Sequence, residues 1–132
     1  MYLLDTNICI YVIRKQPPKV LERLMACSPD EVALSVVTLS ELAYGVSKSQ
    51  AREKNRTALE LFLTPFHVLD YTAEVAFAYG EIRAELEQKG TPIGAMDLMI
   101  AAHAKATGAT LVSNNLREFR RVSGLQTENW AR

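Results

Sequence analysis

With 132 residues, 48% of them hydrophobic and 23% charged, the chain is sized for a single domain over 1–132 that buries about two thirds of its unfolded surface, and disorder is excluded. Fifteen basic residues balance fifteen acidic ones, so no overall field draws in nucleic acid, and any such binding must use a local patch. No run of about eighteen apolar residues is present to cross a membrane, and Met1 to Leu4 meets Asp5 too soon for a signal peptide, so a cytoplasmic protein is expected.

Tyr2-Leu3-Leu4 reads as a short buried strand, followed by Asp5-Thr6-Asn7 and a helix from Ile8 to Arg14, with Asp5 or Asn7 as its cap. Pro17-Pro18 opens a second helical piece, Val20 to Met25, and Ser28-Pro29-Asp30 turns the chain. Val32 to Val36 is the second strand. Beyond it, Thr38 with Glu41 matches a capping box, and Leu42 to Val46 continues as helix. Ala51 to Leu63 is a further helix, stopped by Pro65. Phe66 to Leu69 is the third strand, in which His67 reads as a hydrogen-bonded core histidine. From a cap at Thr72, Val75, Tyr79, Ile82 and Leu86 recur at helical spacing until Lys89-Gly90. Cys9 and Cys27 have no metal-ligand neighbours and read as reduced, structural thiols.

Ile93 to Ala104 is almost continuously apolar, and Asp97 is its one acid. A helix apolar on nearly every face is a core helix, where an ionised carboxylate is costly unless a cation or several donors meet it. The simpler alternative is that Asp97 complements the positive end of the helix after Gly94. His103 reads as a core histidine, with a substrate contact left open by its nearness to Asp97. Gly108 ends the helix, Thr110 to Ser113 is the fourth strand with Asn114-Asn115 at its exit, Leu116 to Phe119 is a turn of helix, and Gln126 to Trp130 is a short last strand and tail. Strands alternating with helices imply an α/β fold around a parallel sheet covered on both faces.

In such a sheet ligands gather beyond the carboxyl ends of the strands. Asp5, Glu41 and Asn115 follow three separate strands, and Asp97 opens the helix leading into the fourth, so all four map to one edge. Carboxylates brought together there repel one another unless a cation sits among them. Oxygen ligands alone select a hard ion, Mg²⁺ or Mn²⁺, and such ions typically serve phosphodiester hydrolysis.

Leu3-Leu4-Asp5-Thr6-Asn7, Thr38-Leu39-Ser40-Glu41-Leu42, the run from Pro92 to Ala101 and the run from Leu111 to Phe119 resemble, in that order and spacing, the PIN-domain ribonuclease toxins of type II toxin–antitoxin systems, the VapC group. The resemblance spans essentially the whole chain. It implies a PIN-like α/β/α sandwich with a central parallel sheet, and a Mg²⁺-dependent endoribonuclease, with Mn²⁺ as a substitute ion. Asp5 and Asp97 match the principal metal ligands, and Glu41 matches a third acid that binds directly or through water. Many members carry an aspartate where this chain has Asn115, which leaves a second metal open, and Glu118 stands where it can supply the missing carboxylate. Thr6 and Ser113 match small hydroxylated positions that brace the metal ligands. The implied chemistry is water attacking a phosphodiester, leaving a 5′-phosphate and a 3′-hydroxyl.

The implied substrate is structured RNA, most often tRNA cut in or near the anticodon loop. The approach Gly90-Thr91-Pro92-Ile93-Gly94 favours initiator tRNA. Arg83, Lys89 and Arg117, with Arg14, Lys15, Lys105, Arg120 and Arg121, are candidates to contact phosphates, although each alone reads most simply as a solvated charge. The resemblance also implies a homodimer and a VapB-type antitoxin whose C-terminal segment masks the site, with Ile8 to Val12 and Leu59 to Leu63 as apolar docking places and an antitoxin cation against the carboxylates. The alternative is a catalytically weak PIN-like module that binds RNA or protein, favoured by the amide at Asn115. A phosphohydrolase or receiver using Asp5 as phosphate acceptor is disfavoured because Asn7 stands where a second aspartate would help it.

Overall fold

A computed structural model describes residues 1–132. Five short strands, β1 (Tyr2–Leu4), β2 (Val32–Ser35), β3 (His67–Leu69), β4 (Thr110–Val112) and β5 (Thr127–Glu128), form one sheet in the order β3-β2-β1-β4-β5, with every neighbouring pair parallel. Side chains alternate across it: Leu3, Ala33 and Leu111 enter one apolar cluster, while Leu4, Leu34 and Val112 enter the other. Both faces are covered, which is why these strands are apolar runs with no polar alternation.

The helices are α1 (Thr6–Arg14), α2 (Pro18–Met25), α3 (Val36–Lys48), α4 (Arg52–Leu63), α5 (Ala73–Gln88), α6 (Ala95–Thr107) and α7 (Leu116–Phe119). Ile8, Cys9 and Val12 of α1, Val20 and Leu24 of α2 and Leu59 of α4 pack on one face, with Trp130 closing that cluster. Val75, Ile82 and Leu86 of α5 and the apolar length of α6 pack on the other. The result is the expected α/β/α sandwich. Gly108, at φ +71°, ends α6 in the left-handed region that favours glycine, and its N–H bonds back to the last turn. No helix is long and apolar enough to cross a membrane.

Three expectations are corrected. Val36 is the first residue of α3 and not the end of a strand, and the cap is Ser35, whose hydroxyl accepts the Val37 N–H at 3.1 Å. Thr38 and Glu41 therefore lie inside the helix and form no capping box; Thr38 Oγ1 is buried without a hydrogen-bond partner. His67 is exposed, because β3 lies at the edge of the sheet, where cover is thinnest.

The strand order fixes where a crevice opens. From β1 the chain builds outward through β2 to β3, then crosses back over α5 and α6 to lay β4 on the other side of β1. The reversal between β1 and β4 is the point at which parallel sheets bind ligands, beyond the strands' carboxyl ends.

Candidate active site

Asp5 stands at that crevice, one residue beyond β1. Its extended backbone (φ −76°, ψ 173°) makes it the N-cap of α1, and its Oδ1 accepts the Ile8 N–H at 2.9 Å. The capping role expected of it is real, but it occupies one oxygen only. The carboxylate is 4% exposed. Burial pushes its pKa up to about 6, the charges of Asp97 and Glu41 add to the rise, and hydrogen bonds from the Ser113 hydroxyl and Ile8 N–H oppose it. Asp97, in the first turn of α6, is half-buried and is also pushed up to about 6, by burial first, then by the charges of Glu118 and Glu41 and a hydrogen bond with Glu118. Asp5, Asp97 and Glu41 thus feel one another although they lie far apart in the chain.

Supporting groups surround the three acids. The Thr6 hydroxyl, first in α1, donates to Glu41 Oε1. Ser113, wholly buried just after β4, accepts the Asn115 N–H at 2.9 Å while bonding toward Asp5. Asn115 Nδ2 donates to Glu118 Oε2 at 3.3 Å, so the amide and the neighbouring carboxylate act together next to Asp97. The structure therefore brings together Asp5, Thr6, Glu41, Asp97, Ser113, Asn115 and Glu118.

The donor set is all oxygen, apart from the Asn115 amide, and carries excess negative charge. That chemistry fits a hard divalent cation. No three Asp, Glu, His or Cys side chains form a closed ligand set as they stand. A cation at this edge would rest on two carboxylates, Asp5 and Asp97, with Glu41 reaching it directly or through water, and complete its shell with water and substrate oxygen, as Mg²⁺ ordinarily does.

The basic candidates are distributed differently. Arg83 is paired with Glu87 at 3.1 Å and with the Tyr79 hydroxyl at 3.0 Å, and Lys89 with Glu85 at 2.7 Å, all of them exposed contacts. Neither pairs with an acid of the cluster. Arg83 does line a cavity of about 160 Å³ with Ala95 and Leu98 at the start of α6. Arg117 is exposed on α7, next to Glu118.

A larger groove, about 650 Å³, runs from Thr6 and Glu41 between α1, α3 and α4, with Ile10, Ile13, Tyr44 and Leu59 on its walls and Arg14 and Lys48 beside it. Of the docking stretch expected at Ile8 to Val12, Ile8 and Val12 are core, and the groove wall is Ile10 with Ile13. Tyr44 and Lys48, with the ammonium 5.0 Å from the ring centroid, were not anticipated; both lie past the expected end or near the end of a helix whose start was misplaced. His103 is 1% exposed, which removes the substrate-contact option for it.

Comparison with known proteins places these features in company. The model of the PIN domain family matches residues 2–125. The chain is 48% identical over 131 residues to "Ribonuclease VapC2" of Rickettsia felis, covering 98% of each chain. It is 48% identical over 130 residues to the "tRNA(fMet)-specific endonuclease VapC" of Shigella flexneri, again covering 98% of each. Its fold superposes with a TM-score of 0.92 on a chain in the crystal structure of VapBC2 from Rickettsia felis bound to a DNA fragment from their promoter, at 48% identity and 98% coverage of both.

Proposed function

The chain belongs to the PIN domain family, in its VapC ribonuclease group, and from that premise we propose that it is a Mg²⁺-dependent endoribonuclease toxin acting on tRNA. The observation that carries the proposal is the meeting of Asp5, Glu41 and Asp97 at the β1/β4 crevice, each within reach of the others' charge. Bound there, Mg²⁺ lowers the pKa of a water molecule and neutralises charge on the phosphoryl group.

The chain's own residues do the positioning. The Ile8 N–H and the Ser113 hydroxyl hold Asp5 before substrate arrives, and the Thr6 hydroxyl aims Glu41. Asn115 steadies Glu118 against Asp97, which keeps a fourth carboxylate at hand despite the amide. The water oxygen bonds to phosphorus, the bond from phosphorus to the 3′-oxygen breaks, and that oxygen leaves with a proton, giving a 5′-phosphate and a 3′-hydroxyl. Arg117, beside Glu118, is the basic candidate nearest the acids in sequence, while Arg83 and Lys89 would reach RNA only from the flank.

Initiator tRNA, cut in its anticodon region, is the favoured target, on the strength of the tRNA(fMet)-specific relative. The groove beside Glu41 is the proposed seat of a VapB-type antitoxin segment whose apolar side chains meet Ile10, Ile13 and Leu59 and whose cation faces the carboxylates. A homodimer and a cytoplasmic location belong to the same proposal.

The deciding experiment is cleavage of total tRNA by purified, partner-free protein with Mg²⁺, with EDTA, and with Asp97→Asn. Discrete Mg²⁺-dependent fragments absent from both controls are expected, with ends that map the bond. Absence of cleavage by folded wild type would shift the reading to the RNA- or protein-binding module that the Asn115 amide favours, and Asn115→Asp would then be the variant to assay.

A further inference from the structure

At the start of α6, Asp97 is held only at its carboxylate, by the hydrogen bond with Glu118, and by no side-chain cap. The N-cap is Gly94, with no side-chain bond, and half of the six buried residues of the helix are small: Ala101, Ala102 and Ala104 beside Leu98, Ile100 and His103. Those small residues bury area but resist rotation weakly, since few side chains interlock across them. The one polar side chain in the buried set is His103. Its Nδ1 lies 2.7 Å from Ser35 Oγ, which is wholly buried. That hydroxyl also accepts the Val37 N–H and so caps α3, the helix that carries Glu41. One bond therefore ties together two acid-bearing helices. Glu41 lies six residues after Ser35, and Asp97 six residues before His103, about 9 Å along each helix axis. The Tyr71 ring meets the imidazole edge-on, with centroids 5.9 Å apart and planes at 80°, which fixes the ring's tilt.

We propose that the Ser35–His103 hydrogen bond is a buried pin that sets the rotation of α6 against α3, and with it the separation of Asp97 from Glu41, so that both are positioning residues of the metal site. A satisfied buried polar bond rigidifies its surroundings more than apolar contact does. Turning α6 by about 10–20° would move a carboxylate on its surface by about 1–2 Å, beyond the ~0.5 Å tolerance of a preorganised site. Neither residue touches substrate. The assignment rests on the reading of the acids as a cation site.

The test measures Mn²⁺ uptake by paramagnetic resonance without RNA, and tRNA cleavage titrated with Mg²⁺, on the folded fraction of each variant. His103→Leu removes the pin; His103→Asn offers an amide atom near the place of Nδ1. His103→Leu is expected to weaken Mn²⁺ binding and raise the Mg²⁺ midpoint about tenfold or more, with kcat falling, and His103→Asn to recover to within about threefold of wild type. Ser35→Ala breaks the same bond from the other side, and serves alone should His103→Leu not fold. The double variant is expected to be no worse in metal affinity than the worse single one. Folded His103→Leu or Ser35→Ala that loses heat stability but keeps the wild-type metal midpoint would overturn the pin alone. Wild type that takes up no Mn²⁺ would overturn the cation site, and the pin's role with it.

Discussion

Asp5 serves two roles with opposed demands. As a cap it stabilises α1, and as a buried, crowded carboxylate it destabilises the metal-free fold once ionised. An unfolded aspartate ionises near 3.8, whereas folded Asp5 does so at about 6. Between those values the folded protein holds more protons than the unfolded chain, so this residue's contribution to stability falls as pH rises through the window and stays low above it. Asparagine caps helices as well as aspartate does. Asp5→Asn is therefore expected to raise metal-free stability at pH 8 by about 3 kcal/mol while abolishing Mg²⁺-dependent cleavage, with the gain vanishing towards pH 4. Urea unfolding in EDTA at the two pH values checks this. An equal midpoint for wild type and variant at pH 8 would mean that burial does not oppose the charge. Asp97 was legible from sequence because it was the one acid in an apolar run. Ser35 was not, because Thr38 offered a competing cap with better spacing to an acid. His67 and His103 looked alike for another reason: local pattern does not show which strand is the edge.

At the level of elements, periodicity found the helices and missed their edges. Thr72 was placed as a cap and accepts the Val75 N–H at 3.4 Å, and the recurrence of Val75, Ile82 and Leu86 is the buried stripe of α5. The start of α3 was displaced because Val36-Val37 is β-branched and continues the apolar run of β2; packing of Val37 beneath the sheet overrides that propensity. For α6, both the start after Gly94 and the stop at Gly108 were visible in the glycines. Gly108→Ala must adopt a left-handed backbone, with open space around its new Cβ, so the strain is conformational and not steric. A loss of about 1–2 kcal/mol in urea unfolding is expected, with Mn²⁺ binding by folded protein unchanged. A loss of metal affinity instead would show that the C-terminal end of α6 governs Asp97.

Across the whole molecule, alternating strands and helices made a parallel sheet legible but not its order. β1 lies at the centre because four later strands find their places around it, two on each side, and that depends on crossovers no local window contains. The crevice at Asp5 was therefore inferred from strand ends, and its location between β1 and β4 came only with the fold. The C-terminal segment was the least legible part. Trp130 is 1% exposed, packs edge-on against Tyr2 at 5.2 Å, and donates its indole N–H to Glu128, which also pairs with Arg23 at 2.9 Å. Trp130→Ala is expected to cost about 3–5 kcal/mol, seen as a lower urea midpoint with an unchanged slope. A loss below about 1 kcal/mol would mean that the segment merely lies against the sheet.

The strand order also has a consequence in time. Asp5 and Glu41 emerge early in synthesis, but Asp97 and the β4 strand that completes the crevice emerge late, and the crevice forms only when β4 docks beside β1. A chain that ends before Asp97 carries two of the three acids and lacks the strand that closes their crevice. The ribosome releases the weapon only as a finished object, and the interval before completion is one in which a neutralising partner can already be waiting.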